Sequence, residues 1–198
     1  MRGIRIGALI SMMGLALSVS PAVRATTVEP VSLSELVRRS ATIVHGTVQE
    51  THTQWEDGGG RLYTYVTVSA NEILKGENPG ARSVTFRQFG GRDGDRMVYV
   101  AGTPRFAPKQ EVLLFLTGND AGGYPQVMGI FQGAFRPVGG PGGTRRVAGL
   151  SADTGRAILP DPPEGKGASP LSPVGGSFGN FLERIRGFVK EQAAGTRP

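Results

Sequence analysis

The sequence predicts a mainly β protein: a small closed barrel of five or six strands, with a short helix before it and an amphipathic helix after it. Three observations predict this. Between residues 41 and 138, runs of alternating apolar and polar residues are separated by Gly- and Pro-rich breaks, at the spacing of a strand-and-turn chain. One run, EVLLFLT (111–117), is continuously apolar, the pattern of a strand buried on both faces. Helical spacing of apolar residues occurs on either side of this region, in LSELV (33–37) and in NFLERIRGFV (180–189).

Each element has a local reason. In PVSLSELVRRS, Ser32 is placed to cap a helix and Glu35 completes the capping-box pattern, with Leu33, Leu36 and Val37 on one face. ATIVHGTVQETHTQW (41–55) is a β run in which Gly46 marks a bulge or tight bend. EDGGG (56–60) is a turn. Leu62, Thr64, Val66 and Val68 then share one face of a long strand, which places Tyr63 and Tyr65 on the other. Lys75-Gly76 and the following Pro79-Gly80 end that strand, RSVTFRQFG (82–90) is the next, GRDGDR is a loop and MVYV a short strand. In residues 124–138, Val127, Gly129, Phe131, Gly133 and Phe135 share one face, as in a strongly curved strand.

Residues 1–25 have the form of an export signal. Arg2 and Arg5 precede an apolar core from Ile6 to Val19, and Val23 and Ala25 fit the −3 and −1 positions of a cleavage site, giving a mature start at Thr26. The barrel is assigned to residues 26–138. Residues 139–176 read as a Gly/Pro-rich linker, with a candidate hairpin at 145–160 turning at Asp153-Thr154-Gly155. The C-terminal element is assigned to 177–192, with Asn180 and Glu183 as its cap pair and Phe181, Ile185, Phe188 and Val189 as its stripe. A helix that short is marginal alone, so its stripe is expected to dock on an edge or mouth of the barrel.

Charge and cysteine content narrow the function. Without residues 1–25 the chain carries 19 basic and 16 acidic residues, scattered rather than gathered on one face, which argues against nucleic acid as a partner. There is no cysteine, so disulfides, thiolate metal sites and a cysteine nucleophile are excluded.

The succession LSELV, ATIVHGTV, YTYVTVSANEILKG, VTFRQFGG, EVLLFL and GIFQGAF, over residues 33–138, resembles the netrin-like or tissue-inhibitor-of-metalloproteinases type of OB-fold barrel, in the cysteine-free form of exported bacterial proteins. The resemblance implies a secreted, OB-like, protein-binding barrel in which ILKG ends a strand leading into a barrel turn. Those inhibitors chelate a protease's zinc through a mature N-terminal cysteine. Thr26 stands at the mature start here, so that mechanism does not carry over.

Motifs that promise chemistry fail on context. GGSFG (175–179) satisfies G-x-S-x-G, but a Pro/Gly stretch precedes Ser177 and no histidine follows it, whereas a nucleophile elbow needs a preceding strand and a later base. His45 and His52 are seven residues apart on a β run and point to opposite faces unless a bulge at Gly46 intervenes. Asp93 and Asp95 lack the rest of a calcium loop. No catalytic, cofactor or metal residues are therefore assigned. The candidate binding surface is Trp55 with Tyr63 and Tyr65, expected to face outward across the 56–60 turn. The expected function is an exported, periplasmic or extracellular, non-enzymatic module that binds a protein or peptide, with a protease among the candidates. The alternatives are an envelope-associated structural protein whose C-terminal helix contacts the membrane, and a hydrolase with an unrecognised site.

Overall fold

The computed structural model describes residues 31–150 and 177–195. Helix α1 (Leu33–Arg39) begins at its expected cap: the Ser32 hydroxyl accepts a hydrogen bond from the Glu35 N–H, and Leu33, Leu36 and Val37 are buried. β1 (Thr42–Glu56) and β2 (Arg61–Lys75) form a long antiparallel hairpin around a turn at Asp57–Gly59. Its register slips at three places, one of them between His45 and Gly46. A Cβ on Gly46 would lie 2.1 Å from the Ser69 carbonyl oxygen, so only glycine lets the two backbones approach this closely.

The chain continues through β3 (Ser83–Phe89), β4 (Gly91–Asp93), β5 (Arg96–Val98), β6 (Glu111–Leu116), β7 (Ala134–Gly139) and β8 (Arg145–Gly149). Six strands form one antiparallel sheet in the order β3-β2-β1-β6-β7-β8, while β4 and β5 pair separately. Within the sheet, β6-β1-β2-β3 is a Greek key: three consecutive strands, then a fourth that returns beside the first. The fold is mainly β, with two helices.

Three sequence expectations need correction. Residues 124–138 are not one curved strand. Gly129 and Ile130 take left-handed backbone angles (φ +62° and +67°), and the chain turns back so that the Gly133 N–H donates to the Met128 carbonyl at 2.9 Å. Phe115 holds both ends of this turn, accepting from the Met128 N–H and donating to the Gly133 carbonyl. Only Ala134–Gly139 then enters the sheet, and Val127 makes a single bridge to Leu116.

The sheet also extends past residue 138, where a linker is expected: β8 pairs with β7 from Phe135↔Gly149 to Gly139↔Arg145. The glycines at 139–143 build a hairpin turn there, closed by the Gly140 N–H to the Thr144 carbonyl, rather than a tether. The hairpin turn expected at 153–155, the export signal at 1–25 and the linker from 151 to 176 lie outside the described residues.

Third, no strand pair joins the edges β3 and β8 among the described residues, so the sheet is open where a closed barrel is expected. The outer edge of β3 is met by a loop instead. The Arg87 N–H donates to the Pro125 carbonyl at 3.0 Å, two residues before the Val127 bridge to β6.

The sheet has an apolar cluster on each face. Val44, Val48, Val66, Val68, Phe86, Val112 and Leu114 pack on one. On the other, Ile43, Leu113, Phe115, Phe135 and Val147 meet α1 and helix α2 (Phe178–Gly195). β6 supplies both clusters, as its continuous apolar run requires. Helix α2 buries Phe178, Phe181, Leu182 and Ile185, with Phe188 and Val189 packed at the margin. Burial of each large side chain contributes about 2 kcal/mol. The Ser177 hydroxyl, not Asn180, caps the helix, accepting from the Asn180 N–H at 3.3 Å. Polar contacts fix its position: Lys75 Nζ donates to the Val37 carbonyl (2.7 Å) and to Gln192 (3.0 Å), and Arg186 Nε donates to Glu72 (3.0 Å). Among the described residues no helix is long and apolar enough to cross a membrane.

Candidate functional site

The histidines and acids singled out in the sequence do not converge. His45 Nε2 lies 2.7 Å from Glu111, which also accepts from Arg145 at 2.5 Å. Burial pushes the Glu111 carboxyl up, but the hydrogen bonds from Arg145 and His45 outweigh it and hold the group below its usual range. This cluster seats the start of α2, with the His45 ring edge-on to Phe178 at 5.2 Å and Arg145 over the same ring at 5.1 Å. His52 instead stacks on Tyr65. Ser177 makes a bridge to Arg146 and caps α2. No group of three metal-ligating side chains occurs among the described residues.

Tyr63 and Tyr65 are not an outward platform. They are 7% and 5% exposed: the 117–126 loop brings Tyr124 against Tyr65 and Asp120 onto Arg87, and Arg87 and Phe89 cover Tyr63. At the centre is Arg87, which pairs across the strands with Tyr65 and is itself 5% exposed. Its Nε donates to Asp120 at 2.8 Å and its NH1 to both Glu56 oxygens at 2.6 Å. The Tyr65 hydroxyl also donates to Glu56. Burial pushes Asp120 up, yet the Arg87 guanidinium, the Gln126 amide and the Tyr124 and Gly122 N–H groups together lower it to about 2. Burial, with the Glu56 hydrogen bond, raises the Tyr65 phenol. Gly122 lies flat against the guanidinium, and a Cβ there would be 2.2 Å from Arg87 NH2. A buried cation hydrogen-bonded to two carboxylates in this way is a structural knot, with the cation's charge already matched within the fold.

The knot supports an open feature. The Arg87 guanidinium sits 4.1 Å over Tyr63, and Tyr63 meets Phe89 edge-on at 5.6 Å. Phe89 lies in the wall of a groove of about 310 Å³ between the end of β3, the β4–β5 hairpin and residues 99–105. Gln88, Phe89, Arg92, Met97, Tyr99 and Arg105 are among its lining residues. Phe89, Met97 and Tyr99 are 43%, 56% and 53% exposed, and they are three of the four large apolar side chains left exposed among the described residues. Gln88 Nε2 holds the far wall by donating to the Pro104 carbonyl at 2.9 Å, while its Oε1 is buried without a partner. Trp55 braces the hairpin from behind: its Nε1 donates to Asp93 at 2.8 Å, and Arg96 lies 4.6 Å over its ring. The aromatic trio expected at the surface is therefore the groove's scaffold, with Tyr63 and Tyr65 buried and Trp55 engaged.

Sequence reasoning missed Phe89, Met97, Tyr99 and Arg87. A faint signal was present in VTFRQF, where Phe86 accounts for the core face and Phe89 then adds a second aromatic on the opposite side, next to an arginine.

No family model matches the chain, and neither a curated protein nor a solved structure is found to be similar to it.

Proposed function

We propose that this chain is an exported, non-enzymatic β module that binds a protein or peptide in the groove beside the β4–β5 hairpin. One observation carries the reading. Of the four large apolar side chains exposed among the described residues, three, Phe89, Met97 and Tyr99, stand together in one concavity, and Ile130 lies elsewhere. Exposed aromatic and methionine side chains gathered in a groove are the usual anchors of protein interfaces. Export is supported by the charged start, apolar core and Val-x-Ala site of residues 1–25. An OB-like, netrin-like strand topology, without closure between β3 and β8 among the described residues, is supported by the Greek-key order of β6-β1-β2-β3 and by the Arg87–Pro125 hydrogen bond, which carries the β3 edge toward β6. Helix α2 has its stripe occupied within the chain, which favours binding through the groove over anchoring through the helix.

Two measurements test this reading. Intact mass of the exported protein should show loss of residues 1–25, and a mass that retains them would identify an anchor instead. Peptides selected from a random nonapeptide phage library on the full chain should lose binding to the Phe89→Ser/Met97→Ser double variant. If the variant holds them equally well, the binding site is elsewhere.

A further inference from the structure

Resting on that reading, we infer that the groove takes an extended peptide in which acidic residues flank a large apolar side chain. The inference comes from the charge of the walls. Arg92 and Arg105 both line the groove, and none of its lining residues is acidic. Among the described residues neither arginine makes an ion pair. Arg38, Arg87, Arg145 and Arg186 are instead spent on structure, on Glu35, on Glu56 and Asp120, on Glu111 and on Glu72. Arg82, Arg136, Arg146 and Arg184 also make no ion pair among the described residues, but Arg92 and Arg105 are the two that stand in the groove wall. Asp93 and Asp95, the acids nearest Arg92 in sequence, stand at the hairpin tip, and Asp93 already accepts from Trp55, while Glu111, nearest Arg105, pairs with Arg145.

A guanidinium presents a planar fork that matches a carboxylate, and it does so best beside apolar surface that excludes water. Met97 extends this apolar surface, its sulfur 3.8 Å from Arg92 NH2. The occupant must therefore offer carboxylates and an apolar group within one short span. A peptide does this by alternating side chains. A sulfated polysaccharide would satisfy the arginines and leave Phe89, Met97 and Tyr99 uncovered. β5 points the same way: β4 pairs with one side of it, and no strand pairs with the other among the described residues. Extended chains recognise such an edge through the main chain, with pockets reading alternate side chains.

The test is the composition of what the groove selects. A random nonapeptide phage library is panned on the full chain, on the Arg92→Gln/Arg105→Gln variant and on the Phe89→Ser/Met97→Ser variant, with circular dichroism melts showing that all three are folded. Wild type should enrich Asp or Glu beside Phe, Leu, Trp or Met by roughly fivefold or more, and the arginine variant should lose that acidic bias while still selecting apolar residues. The best acidic peptide should bind the arginine variant about tenfold or more weaker, in line with the loss of a charge-assisted pair. Three results overturn the inference. Enriched peptides that lack the acidic bias yet depend on Phe89 and Met97 leave the groove reading standing and overturn the charge inference alone. Peptides held equally by the Phe89→Ser/Met97→Ser variant remove the groove itself. Heparin binding tighter than any peptide, lost in the arginine variant and unchanged in the apolar one, assigns the arginines to a polysaccharide.

Discussion

The two ends of the β1–β2 hairpin treat their apolar side chains in opposite ways. At the end where Ile43 pairs with Lys75, helix α2 lays Phe178, Phe181, Leu182 and Ile185 onto the sheet, and all four are buried. At the other end, where Leu62 pairs with Trp55 and Tyr63 with Phe89, three large apolar side chains of β3, β5 and the residue after β5 stay in water. The difference is not one of available cover. The 117–126 loop reaches that end, meets Tyr65 through Tyr124 and holds Arg87 through Asp120, yet it leaves the groove beside them open. Apolar surface costs roughly 25 cal/mol per Å² to hydrate, and its being left open next to a buried polar knot is what the proposed partner site rests on.

The sharpest way to break the comparison is at the covered end. Ile185 is fully buried, so Ile185→Asp loses its packing and places a carboxylate where nothing neutralises it. We expect a loss of about 5 kcal/mol or more, enough to abolish the cooperative thermal transition of the soluble protein. An unchanged melt combined with lost sedimentation on lipid vesicles would instead make α2 a membrane anchor, and the covered end would not be a covered end at all.

Next in size is the knot. Arg87→Leu leaves Glu56 and Asp120 without their cation in a site that is mostly closed to water. Removing one partner of a buried ion pair costs about 3–5 kcal/mol, and we expect the low end here because both carboxylates are a fifth or more exposed. Urea denaturation checks the figure. A loss below about 1 kcal/mol would show the knot to be a surface pair.

The same knot gives a pH dependence. Asp120 is held at about 2 against its usual 3.8. A carboxyl whose folded value is depressed contributes stability that is fully present above its unfolded value and is lost as pH falls toward the folded one. Asp120 should therefore contribute about 2 kcal/mol above pH ~4 and lose it between pH ~4 and ~2. Asp120→Asn should flatten that part of the stability profile measured by urea titration. A profile of unchanged slope in the variant would rule this carboxyl out as its source.

How much of this was legible depended on the range of the interactions involved. The Ser32 cap, the 57–59 turn, the Gly46 bulge and the double-sided burial of 111–116 follow from neighbours in sequence, and each stands where local chemistry puts it. The errors share a cause at longer range. Tyr63 and Tyr65 alternate like outward residues, and nothing within the strand says that a loop some 55 residues later will bring Tyr124 against Tyr65 and Asp120 onto Arg87. Arg87 reads as a solvated strand arginine until that loop supplies Asp120. The 124–138 run keeps its period of two while Gly129 and Ile130 turn the backbone back, since periodicity records side-chain type and not the sign of φ. The groove was hidden for the same reason, because its walls come from β3, a hairpin and a loop that meet only in the fold.

The smallest expected effect on stability is the one that separates the two ends. Phe89 and Met97 are 43% and 56% exposed, so replacing both with serine removes partly buried area at the surface and opens no enclosed cavity. Surface substitutions of that kind usually fall within about 0.5 kcal/mol. Some loss is expected through Phe89, whose ring meets Tyr63 edge-on, but the Arg87–Tyr63 contact behind it stays in place. The double variant should melt within a few degrees of wild type while losing peptide binding, the reverse of what Ile185→Asp does. A calorimetric melt of the full chain decides it. A drop comparable to that of Arg87→Leu would mean that Phe89 and Met97 hold the β4–β5 hairpin onto the sheet, and their exposure would then mark a thin core rather than a surface awaiting a partner.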